Sequence, residues 1–306
     1  MLNTKTILCP TDLSSESDEA LRYAVALTRA YEAKLVLLHC TDIKSDGQPE
    51  SRNRSLDIAC MFEHALVNHL GLGELTKLNW EALAIDNVED NAEAIVHQAS
   101  GQKADLIVMR SRRRPHAAIL LGSTAEKVSR MAPCPVLVTH PVEREWVGLS
   151  TGEIDLHRVL VAHDFSADSE LALEAGLSLA QEHLAEVHLL HVISEKEEEE
   201  PEVAWSRVGV QSLYKSAAHR LQQAVPKEVL LWCNFVNAVG RGRPADEILA
   251  YAKEHEIDLI CIGASGAGFS LDKLFGSTVD RVLRHAPCPV FVARPVKPAA
   301  VSVKAA

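Results

Sequence analysis

The chain has 306 residues, 47% of them hydrophobic and only 5% aromatic, enough apolar material for ordinary cores and a length that suggests two domains. A formal charge of -11 would be repelled by nucleic-acid phosphates and by an anionic membrane surface, so neither is expected as a partner. Seven scattered cysteines without a CxxC pair fit reduced thiols in a cytosolic protein and exclude a disulfide framework or a zinc site. The start, MLNTKTILCPTDL, lacks a signal-peptide pattern, and no apolar run approaches the roughly 20 residues of a membrane helix, so a cytoplasmic location is expected.

In chain order, the first predicted strand covers residues 6–9 and leads into a helix that Asp12 or Ser14 can cap. Strands follow at 35–39, around 78–83 and at 104–109, where ADLIVM is apolar without alternation, as a fully buried strand is. After the segment MRSRRRPHAAILLGST, Ser123 and Glu126 read as a capping box for the next helix, and PVLVT closes the series. The series then restarts. Strands are expected at 158–162, 187–191, 230–236 and 257–263 and in PVFVA (289–293), with Asp164 or Ser166 capping the first helix.

The restart is a duplication. ILCPTDLSSESDEAL (7–21) aligns with VLVAHDFSADSELAL (159–173), and KLVLLHC with EVHLLHV, at a shift of 152. GSTAEKVSRMAPCPVLVTHPV (122–142) aligns with GSTVDRVLRHAPCPVFVARPV (276–296) at a shift of 154. The expected division is a domain at 1–142, a linker at 143–155, a second domain at 156–296 and a tail at 297–306. Strand–helix alternation predicts two tandem α/β sandwich domains, each a doubly wound parallel sheet covered on both faces. Ligands of such sheets sit beyond the carboxyl ends of the strands, where the strand order reverses.

IGASGAGFSLDKLFGST (262–278) has the spacing G-x2-G-x9-G-S-T between a buried strand and a helix. A glycine at a strand end lets the backbone reach φ > 0 and approach a ligand closely, and the helix start supplies free N–H groups and the positive end of the dipole. Ser277 and Thr278 add hydroxyl donors. The pattern does not fit GxxxxGK[ST], so P-loop catalysis is not expected. The plainer reading is a turn, with Ser277 and Asp280 capping the helix.

With these motifs together, the sequence resembles the universal stress proteins in their tandem form, over nearly the whole chain. The resemblance rests on Asp12 and Asp164 at strand ends, the LLHC and LLHV strands, the glycine loop and the APCPV segments. It implies α/β sandwiches with five-stranded parallel sheets that bind ATP in one branch of the family, Mg2+ accompanying the nucleotide. By position, the implied adenine and ribose contacts are Ala162, Asp164 and Val192. The implied phosphate contacts are Gly263, Gly266, Gly276, Ser277 and Thr278. Ala162 departs from the proline usual there, which Pro10 keeps in the first half. The family's last strands pair across a dimer, which implies an intrachain pseudo-dimer here, further association into a homo-oligomer, and an unnamed regulatory protein that responds to stress.

The halves are not equivalent. A shift of 154 sets Met109 against Gly263 and Arg112 against Gly266, and only Gly122, Ser123 and Thr124 survive, so the second half is predicted to hold nucleotide and the first to do so weakly or not at all. Arg110, Arg112, Arg113 and Arg114 form either a solvated loop or a substitute phosphate grip. His39 and His191 read as hydrogen-bonded structural residues, His163 as a neighbour of the ligand, and Cys134 and Cys288 as packing thiols. SEKEEEEPE (194–202) reads as a solvated connection, and GRGRP (240–244), without a glycine-bearing equivalent in DNVED, as part of the pocket. No nucleophile–base pair or metal cluster is apparent, so at most slow ATP hydrolysis is expected. The alternatives are a nucleotide-free scaffold and a hydrolase, the latter needing an HxGH or SGGxDS signature that neither half supplies.

Overall fold

The computed structural model describes residues 4–14, 17–42, 51–70, 72–111, 122–140, 144–149, 151–194, 207–266 and 276–296. The chain forms two compact units, one principally Asn3–Pro141 with Val147–Ile154, the other Val142–Trp146 with Asp155–Arg294. The N-terminal unit runs β1 (Thr6–Pro10), α1 (Asp18–Tyr31), β2 (Lys34–Asp42), α2 (Ser51–Leu70), α3 (Leu72–Leu75), β3 (Trp80–Val88), α4 (Asn91–Gly101), β4 (Leu106–Arg110), α5 (Ser123–Met131) and β5 (Val136–Thr139). The C-terminal unit runs β6 (Arg158–Ala162), α6 (Ala167–His183), β7 (Glu186–Ile193), α7 (Arg207–Ala224), β8 (Phe235–Arg241), α8 (Pro244–Glu254), β9 (Leu259–Gly263), α9 (Ser277–His285) and β10 (Val290–Ala293).

Within the N-terminal unit the strand order is β3-β2-β1-β4-β5, and within the C-terminal unit β10-β9-β6-β7-β8, with all registered pairs parallel. Each is the doubly wound order, reversing beside the first strand of the repeat. The central strands are largely apolar because helices cover both faces: Leu259–Gly263 is buried throughout, Arg158–Ala162 at all but its first position, and Thr6–Pro10 at all but its two ends. In the C-terminal unit α6 packs on β6, β9 and β10 and α7 on β7 and β8, while α8 packs with α9. The short α9 (STVDRVLRH) buries Val279, Val282 and Leu283, the one-sided stripe of an amphipathic helix.

Several sequence expectations are corrected. The third strands lie later than expected, at Trp80–Val88 and Phe235–Arg241. The leucines of LLWCNFV form a 3-10 turn, Val229–Leu231, which buries Val229 and exposes Leu231, so an apolar run without alternation was misread as a strand. The α1 N-cap is Ser17 rather than Asp12 or Ser14, although Ser14 Oγ accepts the Ser17 amide at 3.3 Å. In the second half Ser166 caps α6 through the Ser169 amide at 3.2 Å. The Ser123–Glu126 capping box is not formed: Gly122 is the N-cap and Glu126 instead binds Arg130 at 2.8 Å. Val147 bridges Ile154 across a turn at Gly152 (φ 63°), and Trp146 is buried.

Among the described residues six non-glycine positions take positive φ, and they fall into repeat-related pairs: Leu13 and Phe165, Glu32 and Leu184, Lys103 and Glu256. Glu32 and Leu184 are left-handed helix C-caps. Strain that occurs in both halves belongs to the fold rather than to one half's ligand chemistry.

The helices after the third strands begin differently. Asp90 caps α4, accepting the Ala92 and Glu93 amides at 2.8 and 3.4 Å, and Lys127 holds its carboxyl below the usual range. Its counterpart at α8 is Arg243, which makes no side-chain cap bond. Asp90→Ala is expected to destabilise the N-terminal unit by about 1 kcal/mol, read by urea unfolding, while Arg243→Ala leaves the C-terminal unit within about 0.5 kcal/mol.

Candidate functional site

At the carboxyl ends of β6, β7 and β9, where the C-terminal sheet reverses its strand order, lies a cavity of about 670 Å3 counted to its open mouth. The structure brings together all eight sequence-predicted residues around it. Ala162, Asp164 and Val192 line it at or just beyond the ends of β6 and β7, Gly263 and Gly266 at the end of β9, and Gly276, Ser277 and Thr278 at the start of α9.

The turn after β6 is built from local hydrogen bonds. Phe165, at φ 63°, donates its amide to His163 Nδ1 at 3.2 Å, and Ser166 donates both its amide and its hydroxyl to Asp164 Oδ1 at 3.1 and 2.5 Å. The N-terminal repeat makes the same turn: Leu13 N donates to Thr11 Oγ1 at 3.0 Å, and Ser14 binds Asp12 Oδ1 at 3.1 and 2.6 Å. One oxygen of Asp164 thus fixes the turn, and the other lies toward Gly266, where an added Cβ would come within 2.7 Å of it.

His191 Nδ1 donates to the His163 carbonyl at 2.8 Å, and His39 Nδ1 to that of Thr11 at 3.0 Å, so both histidines tie strand ends together. His163 takes a different role. Its Nδ1 accepts the Phe165 amide, which in the neutral ring leaves the proton on Nε2, 3.3 Å from Glu170. Burial lowers its pKa despite the Glu170 carboxylate, so the ring is held neutral.

The glycines serve proximity rather than handedness. Among the described glycines only Gly152 and Gly242 have positive φ, and Gly276 sits at φ -63°, so the expectation of left-handed backbone is corrected at Gly263, Gly266 and Gly276. At Gly263 an added Cβ would lie 2.6 Å from the Asp168 carbonyl carbon and 2.8 Å from its Cβ and oxygen. The missing side chain lets the first turn of α6 lie against the end of β9, and the Ser265 amide donates to Asp168 Oδ2 at 2.9 Å.

Strand register also corrects the alignment of the halves. Arg110 pairs with Thr139 as Gly263 pairs with Ala293, and Ile107 with Val136 as Ile260 with Val290. Arg110, rather than Met109, therefore stands where Gly263 does. Its guanidinium is 3.5 Å from Glu19 of α1, both side chains being largely buried. Arg112, Arg113 and Arg114, residues 195–202 of the acidic run and residues 267–275 of the glycine loop lie outside the described residues.

At the phosphate end of the motif, α9 starts at Gly276 with no side-chain cap. Asp280 grips Arg284 through two bonds of 2.9 Å, so the Ser277–Asp280 cap is not made. The first-turn amides thus face the cavity without a capping side chain among the described residues, which leaves them for an anion. The opposite wall includes Pro244, the last residue of the GRGRP segment expected at the pocket, and adds Ile248 of α8, Leu190, Ile262 and Val279, which the sequence reading did not place there. PADE after a glycine pair is a helix-start signal that could have placed α8 there. Gly242, at φ 128°, supplies the turn into it.

Cys134 and Cys288 are buried, and burial pushes the Cys288 thiol up; Cys9 is pushed up to about 12. Thiols so disfavoured as thiolates pack rather than react. Among the described residues no group of three or more His, Cys, Asp or Glu could hold a metal, and no helix is long and apolar enough to cross a membrane.

Fold and crevice define a tandem α/β protein with a cavity at the point of strand-order reversal in its C-terminal unit. The chain belongs to the universal stress protein family, whose model matches residues 3–140 and 156–294. It is 26% identical over 314 residues to universal stress protein Slr1230 of Synechocystis sp., covering 95% of this chain and 100% of that protein. It is 37% identical over 146 residues to the universal stress protein in the QAH/OAS sulfhydrylase 3'region of Thermus aquaticus, covering 44% of this chain and 97% of that protein. The crystal structure of a universal stress protein from Archaeoglobus fulgidus shares the fold, with a TM-score of 0.63 at 23% identity, covering 96% of this chain and 98% of that one.

Proposed function

We propose that the C-terminal unit binds an adenine nucleotide, ATP with its Mg2+, and that the protein acts in the cytoplasm as a nucleotide-dependent regulator in a stress response. The observation that carries this reading is the convergence of three chemistries in one cavity. Uncapped amides of α9 and the hydroxyls of Ser277 and Thr278 suit phosphates, the Asp164 carboxylate suits ribose hydroxyls, and Val192, Ile248 and Ile262 form an apolar wall for the base. Mg2+ would be carried by phosphate oxygens, in keeping with its preference for oxygen ligands and retained water. Binding, rather than turnover, is the activity that these three chemistries support.

Calorimetric titration of the full chain with ATP and Mg2+ is expected to give one site per chain, with GTP weaker. An absence of binding, or two comparable sites per chain, would overturn the proposal.

A further inference from the structure

The N-terminal unit has a second cavity, of about 880 Å3 counted to its mouth, between the turn after β1, the start of α1 and the outer part of α2. Leu13, Leu21, Met61, Phe62 and Ala65 supply apolar lining, and Asp18 lies at its edge. It does not share residues with the nucleotide cavity and its argument is independent of that proposal.

The internal repeat explains the cavity. Helices α2 and α7 correspond at a shift of 155: buried Leu66 answers buried Leu221, and the His64–Asn68 pair on one helix turn, 3.4 Å apart, answers His219–Gln223 at 2.9 Å. At this shift Ala65 answers Arg220, while in the turn Leu13 answers Phe165. In the C-terminal unit those two positions are in contact, the Arg220 guanidinium carbon lying 3.7 Å from the Phe165 ring centroid. In the N-terminal unit the same two positions carry a leucine and an alanine, and the cavity lies between them. The protein thus shows, in its own second half, what fills this space: a flat ring with a planar cation stacked on it.

Charge agrees with shape. Asp18, half exposed and bonded to His69 Nε2 at 2.8 Å, answers Glu170, the acidic residue beside the Phe165 turn. Asp12, in the turn itself, adds a second carboxylate nearby. We infer that the cavity between α1 and α2 is a binding site for a small organic cation with a flat aromatic body, the ring resting among Leu13, Met61 and Ala65 and the charge directed to Asp18.

The test uses the full chain labelled at its methionine methyl groups, four resonances in all. Benzamidine, an aromatic cation, is expected to shift the Met61 methyl along a saturating curve, and its neutral counterpart benzamide to bind at least about tenfold more weakly. Ala65→Arg, which returns the guanidinium found in the other half, is expected to abolish the shift while the buried Met109 resonance stays in place. Asp18→Asn is expected to bring benzamidine down to the level of benzamide. No saturation at Met61, equal binding of benzamide, or full binding by Ala65→Arg with Met109 unmoved would overturn the inference. Should Ala65→Arg displace Met109, Leu13→Phe takes its place as the filling variant, and the same outcomes decide.

Discussion

Gly263→Arg, which gives the C-terminal repeat the residue that the N-terminal repeat carries at the same strand position, is expected to weaken ATP binding at least about 100-fold. The reason is mechanical. The strand end is pinned by its register with β10 and β6, so a new Cβ, 2.6 to 2.8 Å from atoms of Asp168, must displace the first turn of α6. That turn carries Ser166 and Ser169, and Ser166 fixes the Asp164 carboxylate at the cavity. In the N-terminal unit the arginine at this strand position, Arg110, pairs with Glu19 of α1. Overpacking of this kind costs about 1–3 kcal/mol of stability, so unfolding should be measured beside the ATP titration. Gly276→Ala is the control for folding, because its Cβ would meet nothing closer than Val279 Cγ2 at 3.7 Å. Unchanged ATP affinity in a folded Gly263→Arg protein would refute the nucleotide assignment or the role of the α6 turn in it.

Asp258→Ala is expected to destabilise the C-terminal unit by about 3 kcal/mol, and its counterpart Asp105→Ala the N-terminal unit by about 2 kcal/mol. Asp258 Oδ2 accepts the His157 and Arg158 amides at 3.0 and 2.8 Å, and Asp105 Oδ2 accepts those of Lys5 and Thr6 at 2.8 and 3.0 Å. Each carboxylate therefore joins the start of the fourth strand to the start of the first. Asp258 is the more buried, at 7% exposure, and also meets Arg144 at 3.3 Å, a guanidinium that further binds the Glu256 carbonyl and carboxylate at 2.9 and 2.8 Å. Its removal strands two amides and part of a cation, hence the larger loss. Hydrogen exchange along β6 and β9 resolves the C-terminal unit separately from its neighbour. A loss in Asp258→Ala no larger than about 0.5 kcal/mol, typical of surface changes, would contradict this account.

The fold was legible because the chain states it twice: matching strand–turn–helix segments at a nearly constant shift fix element order even where each signal is weak. Errors arose where an apolar run carried no period, as in the leucines before Phe235 that form a 3-10 turn. They arose also where composition stood in for geometry. Ser123 and Glu126 have capping-box spacing, yet the chain enters α5 from Gly122 and Glu126 finds Arg130. The candidate site was legible as a set of residues, since all eight meet at one cavity, but the reason for its glycines was not. Which helix a missing Cβ makes room for depends on the packing of α6 on β9, a contact nearly 100 residues apart in sequence. GRGRP pointed to Pro244 at the pocket, but the part of the wall formed by Ile248, one helix turn further on, was hidden for the same reason.

The connection from Arg110 to Gly122 is one residue shorter than that from Gly263 to Gly276, although the strands before and the helices after them correspond. For the nucleotide site proposed in the C-terminal unit, this offset sets a condition on any transplant into the N-terminal unit: the exchange must carry the entire connection, extra residue included, together with the opening turn of α1.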